Sequence, residues 1–332
     1  MTTQYFVEHD IVLHAGHVLD VVPSIPAGSV HCVLTSPPYY GLRDYGVRRQ
    51  IGLEESPAEY VHVLRAVFAE VRRVLRPDGV LWLNLGDSYS GSWGNQGHEP
   101  DRDDLHVRVR GRGALPKSMR TGSRKPGEPG PKNLYGLPWR VAFSLQADGW
   151  TLRNAIVWAK PNGMPESVRD RLSCRYEHVF LFSKSSRYWF DLDAIKVPST
   201  GQAPGNTPAA VAAYAAGTGT VNGARRWGGN SGSTLLDVHA TRNPGDVWEI
   251  PTSPYPGAHF ATFPPELARR CVRAGCPMGG TVLDPFCGSG TALMAARQLG
   301  RRGIGIDLNP AYLDLAIRRI GDPPLPFPGD VA

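Results

Sequence analysis

Apolar residues recur along this chain with two different periods. Between residues 57 and 75 the positions Tyr60, Val63, Leu64, Val67, Phe68, Val71, Val74 and Leu75 fall three and four apart, which lines them along one face of a helix. The run Arg76-Pro77-Asp78-Gly79 ends that helix, because proline pushes the residue before it out of helical geometry. Short apolar runs stand on either side. Val30, Cys32 and Leu34 precede Pro37-Pro38, and residues 80–85 follow the helix, each predicting a buried strand. Strand, helix, strand is the repeat of a layered α/β sheet.

The same reading continues downstream. Residues 137–145 predict a helix, and 155–158 and 179–182 predict strands. Residues 263–274 form a helix whose first turn accommodates Pro264-Pro265. Then come a strand at 281–283, a helix at 291–299, a strand at 303–306 and a helix at 311–320. Two stretches break the pattern. Residues 90–133 are polar and rich in Gly and Arg, and 198–233 are mostly Ala, Gly, Pro, Ser and Thr, which bury little apolar area and suit a linker or insert. The last dozen residues hold four prolines and read as a tail.

Composition narrows the class. At roughly 100–200 residues per domain, 332 residues make one large domain or two ordinary ones. With 41% hydrophobic and 20% charged residues the chain is neither disordered nor, lacking an apolar run of about 18, a membrane protein. Glu8 and Asp10 before a short apolar run at 11–13 do not make a secretory signal. Five scattered cysteines, Cys32, Cys174, Cys271, Cys276 and Cys287, give no CxxC pair. They predict reduced thiols in a cytoplasmic compartment and no metal site.

The net charge of +6 is modest, but its placement changes the picture. Between residues 105 and 133 stand Arg108, Arg110, Arg112, Lys117, Arg120, Arg124, Lys125 and Lys132 against Glu128 alone, a local excess of 8 − 1 = +7. A basic Gly/Pro-rich loop suits a polyanion, whose condensed counterions it can displace; a solvated surface loop is the plainer reading. Lysines number six, so thirty of the 36 basic residues are arginines, a bias that genome base composition also produces.

Candidate chemistry gathers at two places. From Thr281 to Asp307 the chain reads strand, Gly-containing turn, helix, strand, acid. Gly288 and Gly290 let backbone approach a ligand, the helix start offers free N–H groups, and Asp307, seventeen positions after Gly290, can accept both ribose hydroxyls. There is no Gly-Lys-Ser/Thr, and Leu293 stands about where a dinucleotide fingerprint has its third glycine, so adenosine without a pyrophosphate fits best. The other place is Thr35-Ser36-Pro37-Pro38-Tyr39-Tyr40, which follows the first strand. Two prolines remove donors and stiffen the turn, leaving carbonyls and the Ser36 hydroxyl as fixed acceptors beside an aromatic ring. That set suits a flat molecule with an exocyclic amine: Tyr39 stacks, while Ser36 Oγ and the Pro37 carbonyl accept the amine protons and localise the nitrogen lone pair.

S-P-P-Y early and D-P-F-x-G-S-G-T late resemble the amino-methylating DNA methyltransferases, specifically the permuted group with the catalytic motif ahead of the cofactor motif. The stretches W-A-K-P-N-G-M-P-E-S (158–167), E-H-V-F-L-F-S-K (177–184) and H-F-A-T-F-P-P-E-L (259–267) share the resemblance. It implies a Rossmann-like methyltransferase fold, a mostly parallel sheet flanked by helices, with circularly permuted motif order. It implies S-adenosylmethionine held by Asp284, Phe286, Gly288, Gly290 and Thr291, with Asp307 on the ribose and Phe260 and Thr262 at the methionine end. Ser36, Pro37, Pro38 and Tyr39 form the base pocket, and Ser at the first motif position looks like cytosine N4 methylation, where Asp or Asn accompanies adenine N6. Double-stranded DNA is the implied partner, contacted by Arg108, Arg110, Arg112, Lys117, Arg120, Arg124 and Lys125; a companion restriction endonuclease is compatible with the family, and oligomeric state is not implied. Residues 1–89 and 134–197 then form the catalytic half, 90–133 a basic insert, 198–246 a low-complexity insert or target-recognition region, 247–320 the cofactor-binding half and 321–332 the tail. An adenine-N6 DNA methyltransferase is the alternative within the same class, and a catalytically silent DNA-binding module of the same fold is the competing class.

Relatives carry Gly-Asp in an early turn where this chain has Gly16-His17, so His17 receives no role. No Pro-Cys dipeptide exists, which leaves Cys287 as a small residue in a tight turn rather than a nucleophile. Asp87 either faces the pocket or caps the next turn. Glu54 and Glu55 read as solvated, and Trp150 and Trp158 as core.

Overall fold

Residues 3–8, 10–90, 129–198, 241–253 and 263–321 are described by the computed structural model. The chain divides into two compact units, one of residues 1–191 and 246–332, the other of Leu192–Gly245. In the first, strands β1 (Thr3–Glu8), β2 (Ile11–Ala15), β3 (Val30–Thr35), β4 (Leu75–Leu85), β5 (Thr151–Ala159), β6 (Tyr176–Ser183), β9 (Val247–Glu249), β10 (Thr281–Asp284) and β11 (Arg302–Asp307) form one sheet. Its order is β1-β2-β11-β10-β3-β4-β6-β5-β9. Five of the eight neighbouring pairs are parallel; β1 at one edge and β6 within the sheet run against the rest. In the second unit the described residues include a short antiparallel pair, β7 (Val197–Pro198) with β8 (Thr241–Arg242).

Helices cover both faces. On one, α1 (Val18–Val21), α2 (Pro57–Val74) and α3 (Leu137–Ala147) bury Val67, Phe68, Val71 and Val141 against Val33, Leu81, Leu83 and Phe180. On the other lie α4 (Pro265–Gly275), α5 (Thr291–Gln298) and α6 (Pro310–Gly321). Gly275 of α4 runs so close to the sheet that a Cβ would stand 2.4 Å from Trp82 Nε1, and Leu293, Leu313 and Ala316 pack with Ile11 and Leu13. The face assignment follows from chain direction. From β3 the chain crosses over α2 to β4, whereas from β10 it crosses over α5 to β11 in the opposite direction along the sheet. Right-handed crossovers of opposite direction put their helices on opposite faces.

The predicted helices at 57–75, 137–145, 263–274, 291–299 and 311–320 are present with ends moved by one to two residues. Two expectations are corrected. Val30 does not open the sheet: β1 and β2 come first, unmarked because β2 is five residues long and β1 is a half-exposed edge with Val7 58% accessible. Arg76-Pro77-Asp78-Gly79 does not separate α2 from its strand either, since β4 begins at Leu75, pairs with Val30, and resumes pairing at Val80 opposite Cys32 after an irregularity. A proline is tolerated there because a bulge leaves it outside the ladder. Among the described residues no helix is long and apolar enough to cross a membrane, and all five cysteines are free thiols.

Candidate active site

Strands β3 and β10 are parallel neighbours, Cys32 opposite Val282 and Val33 opposite Leu283, and between them the winding of the sheet reverses. Ligands of such sheets bind beyond the carboxyl ends of the strands at that reversal. A cavity of about 640 Å³ lies there. Ser36, Pro37, Pro38 and Tyr39 line it from the β3 side, and Asp284, Phe286, Gly288, Thr291 and Asp307 from the β10 and β11 side. Thr35 Oγ1 donates a 2.7 Å hydrogen bond to Asp284 Oδ1, tying together two strand tips 249 positions apart in the chain.

The glycine turn is organised by its backbone. Asp284 is 1% exposed; burial pushes its carboxyl up to about 7, against the opposing pull of bonds from Thr35 Oγ1 and, at 3.1 Å, the Phe286 N–H. Asp307 accepts the Gly288 and Asn309 N–H groups, both at 2.8 Å, and burial raises it to about 6. A carboxylate has about four lone-pair sites, so Asp307 keeps acceptor capacity beyond these backbone bonds. Gly288, at φ +49°, would carry a Cβ with nothing within 4 Å. Gly290 differs. At φ +77° it would place a Cβ 2.9 Å from that of Ala316, so it serves the packing of α6 and does not line the cavity. Arg319, buried in α6, donates to Ser289 Oγ at 2.8 Å and Thr291 Oγ1 at 2.7 Å, which holds the turn from behind. Cys287 is buried, and burial raises its thiol well above the usual range, in keeping with a small packed residue.

The Ser-Pro-Pro-Tyr turn is held by side chains. Tyr60 Oη donates to the Pro38 carbonyl at 2.9 Å. Gly86 lets the Tyr39 ring approach, since a Cβ there would lie 2.6 Å from Tyr39 Cε2. The Tyr39 hydroxyl donates to Glu177 Oε2 at 2.7 Å and receives Ser36 Oγ at 3.3 Å. Asn84 Nδ2 also bonds Glu177 Oε2, at 2.9 Å, and Lys160 Nζ pairs with Glu177 Oε1 while lying 4.5 Å from the Trp158 ring centroid.

Asn84, Lys160, Glu177 and Arg319 carry no signal as single residues; Lys160 and Glu177 do fall in the stretches 158–167 and 177–184 that resemble the family. His17, left without a role, lines the cavity and caps α1, its Nδ1 accepting the Leu19 N–H at 3.2 Å, while burial lowers its pKa. Asp87 takes the capping alternative: its Oδ1 accepts Leu137 N–H at 3.1 Å where α3 begins. Glu54 departs from expectation. It is half-buried, accepts the Gly52 N–H at 2.9 Å, and burial raises its pKa. Trp150 is buried in the core, as expected, whereas Trp158, equally buried, also lines the cavity. Phe260, Thr262 and the candidate phosphate contacts from Arg108 to Lys125 lie outside the described residues; Lys132, the last cation of that run, pairs with Asp170 at 2.5 Å.

Known proteins resemble this chain in sequence and in fold. The chain is 43% identical over 309 residues to the Type II methyltransferase M.XycI of Xanthomonas campestris pv. cyanopsidis, covering 93% of this chain and 87% of that one. It is 40% identical over 305 residues to the Type II methyltransferase M.SmaI of Serratia marcescens, covering 92% and 89%. In fold it matches the cytosine-N4-specific PvuII DNA methyltransferase with a TM-score of 0.63 at 18% identity over 97% of this chain and 90% of that one. A putative DNA modification methylase of Thermus thermophilus, solved with S-adenosyl-L-methionine, matches with a TM-score of 0.54 at 24% identity over 93% and 92%. The N6_N4_Mtase family, described as DNA methylase, matches residues 30–318, and this chain belongs to it.

Proposed function

We propose that this DNA methyltransferase transfers the methyl group of S-adenosylmethionine to N4 of a cytosine flipped out of duplex DNA. The meeting of the Ser36–Tyr39 turn and the Asp284–Asp307 loop across the Thr35–Asp284 bond carries the reading, because transfer between two bound molecules requires both in one cavity. The residues suit the cofactor: Asp307 presents lone pairs for ribose hydroxyls, the Cβ position of Gly288 is open, and Phe286 and Phe263 supply apolar surface. When bound, S-adenosylmethionine supplies an electrophilic methyl on a sulfonium.

On the acceptor side, Ser36 Oγ and the Pro37 carbonyl hold the amine protons, which keeps the nitrogen lone pair available. Tyr39 gives the base an aromatic neighbour. The amine nitrogen bonds to the methyl carbon as the carbon–sulfur bond breaks, S-adenosylhomocysteine leaves, and the surplus proton on nitrogen passes to water, so no covalent enzyme intermediate is needed. Serine at the first motif position favours cytosine over adenine. The basic run at 108–125 supplies phosphate contacts and residues 198–246 the target-reading region, and the Type II relatives point to a companion restriction endonuclease. Mass spectrometry of nucleosides from DNA treated with the protein and cofactor tests the assignment. N4-methylcytosine is the expected product; N6-methyladenine overturns the choice of base, and unmodified DNA overturns the function.

A further inference from the structure

Glu177 does not belong to the Ser-Pro-Pro-Tyr turn or to the glycine loop, yet it is the residue on which the acceptor side converges. Strand β6 places it opposite Trp158 of β5, with its side chain 17% exposed and bordering the cavity. Its ionised form only accepts hydrogen bonds, and that fixes the direction of everything attached to it. Tyr39 has one hydroxyl proton. Of its two acceptors, Glu177 Oε2 at 2.7 Å is nearer and charged, and Asn84 Oδ1 stands at 3.2 Å. With that proton committed, the Tyr39 oxygen can only accept, and Ser36 Oγ donates to it at 3.3 Å. Ser36 thereby spends its single proton within the protein and meets the cavity with lone pairs.

We infer that Glu177 is a positioning residue for methyl transfer, acting through Tyr39 to hold Ser36 as a hydrogen-bond acceptor for the target amine. The inference rests on the function proposed above. Its chemical logic is that a serine free to rotate would also donate its proton to the amine nitrogen, covering the lone pair that must attack the methyl group. Lys160 on Oε1 and Asn84 Nδ2 on Oε2 hold the carboxylate in place, so Glu177 acts by orienting Tyr39. Burial and the Glu177 charge raise Tyr39 well above the usual tyrosine range, so its hydroxyl remains a donor.

Glu177→Gln, Tyr39→Phe and the double variant, assayed with duplex DNA beside the wild type, test this. Each single change lowers kcat by about 10- to 100-fold, the scale of a lost hydrogen bond to a charge, with cofactor Kd and the KM for DNA held within about threefold. The double variant is no slower than Tyr39→Phe alone, because Glu177 has nothing left to act through. A single variant with wild-type kcat overturns the inference, and so does a double variant whose loss is the product of the two. Should Glu177→Gln fail to fold, Tyr39→Phe decides alone, since it keeps every buried charge and an unchanged kcat refutes the chain. An inactive wild type overturns the proposed function and this inference with it; an active wild type beside an unaffected variant overturns the inference only.

Discussion

The two walls of the cavity are built by opposite means. The glycine turn is one continuous run between β10 and α5, shaped by backbone: two left-handed glycines, N–H groups on the carboxylates of Asp284 and Asp307, and Arg319 behind it. The Ser-Pro-Pro-Tyr wall is assembled from four separated places, Ser36 and Tyr39, Asn84, Lys160 and Glu177, joined through side chains. A wall made of backbone fails when its geometry is denied; a wall made of a side-chain network fails when one member is removed, while the chain still folds.

That contrast can be broken by substitution. The largest effect is expected for Tyr39→Ala, which removes the ring and the hydroxyl together: methyl incorporation into DNA falls by about 1,000-fold or more, while cofactor affinity measured by calorimetry stays within a few fold. Comparable loss of cofactor binding would mean that the two walls are one unit. Gly290→Ala is next and reverses the pattern. It forces a left-handed alanine into contact with Ala316, costs about 2 kcal/mol of stability in denaturant titration, and weakens cofactor binding in proportion. The smallest effect concerns pH. Asp284 in the folded chain holds a proton up to about 7 that the unfolded chain releases near its ordinary 3.8, and Asp307 does the same up to about 6. Stability from these groups is greatest on the acid side of that window and falls as pH rises through it. Asp284→Asn, which keeps the acceptor for Thr35 and Phe286, should flatten the decline in melting temperature between about pH 4 and 7 by a few degrees; an unchanged slope would remove Asp284 as its source.

Legibility in the sequence follows the same division. Periodicity revealed α2 and the elements from α4 to α6, because each buries a regular apolar face over enough residues to show its period. The glycine turn was readable since Asp284, Gly288 and Gly290 must sit at fixed spacing along one segment. β1 and β2 were not, being short or half-exposed, and β4 starts earlier than Arg76-Pro77-Asp78-Gly79 suggests because the sheet absorbs the proline in an irregularity. Tyr39 was readable but its partners were not: Glu177 reaches it across 138 positions through the reversed strand β6, a pairing that no local pattern encodes. Arg319 was hidden for the same reason, as a cation in a helix otherwise reads as a solvated one.

The bond from Thr35 to Asp284 also sets a timetable. As the chain leaves the ribosome, β3 can pair with β4 early, but its other edge stays unsatisfied until nearly 250 further residues have been made and β10 arrives. Until then a central, strongly apolar strand presents open amides and carbonyls to any passing β-strand, the situation in which nascent chains join the wrong partner. Closing so long a loop carries a larger entropic penalty than local pairing, so β10 joins the sheet late, with β11, whose partner β2 lies farther back still.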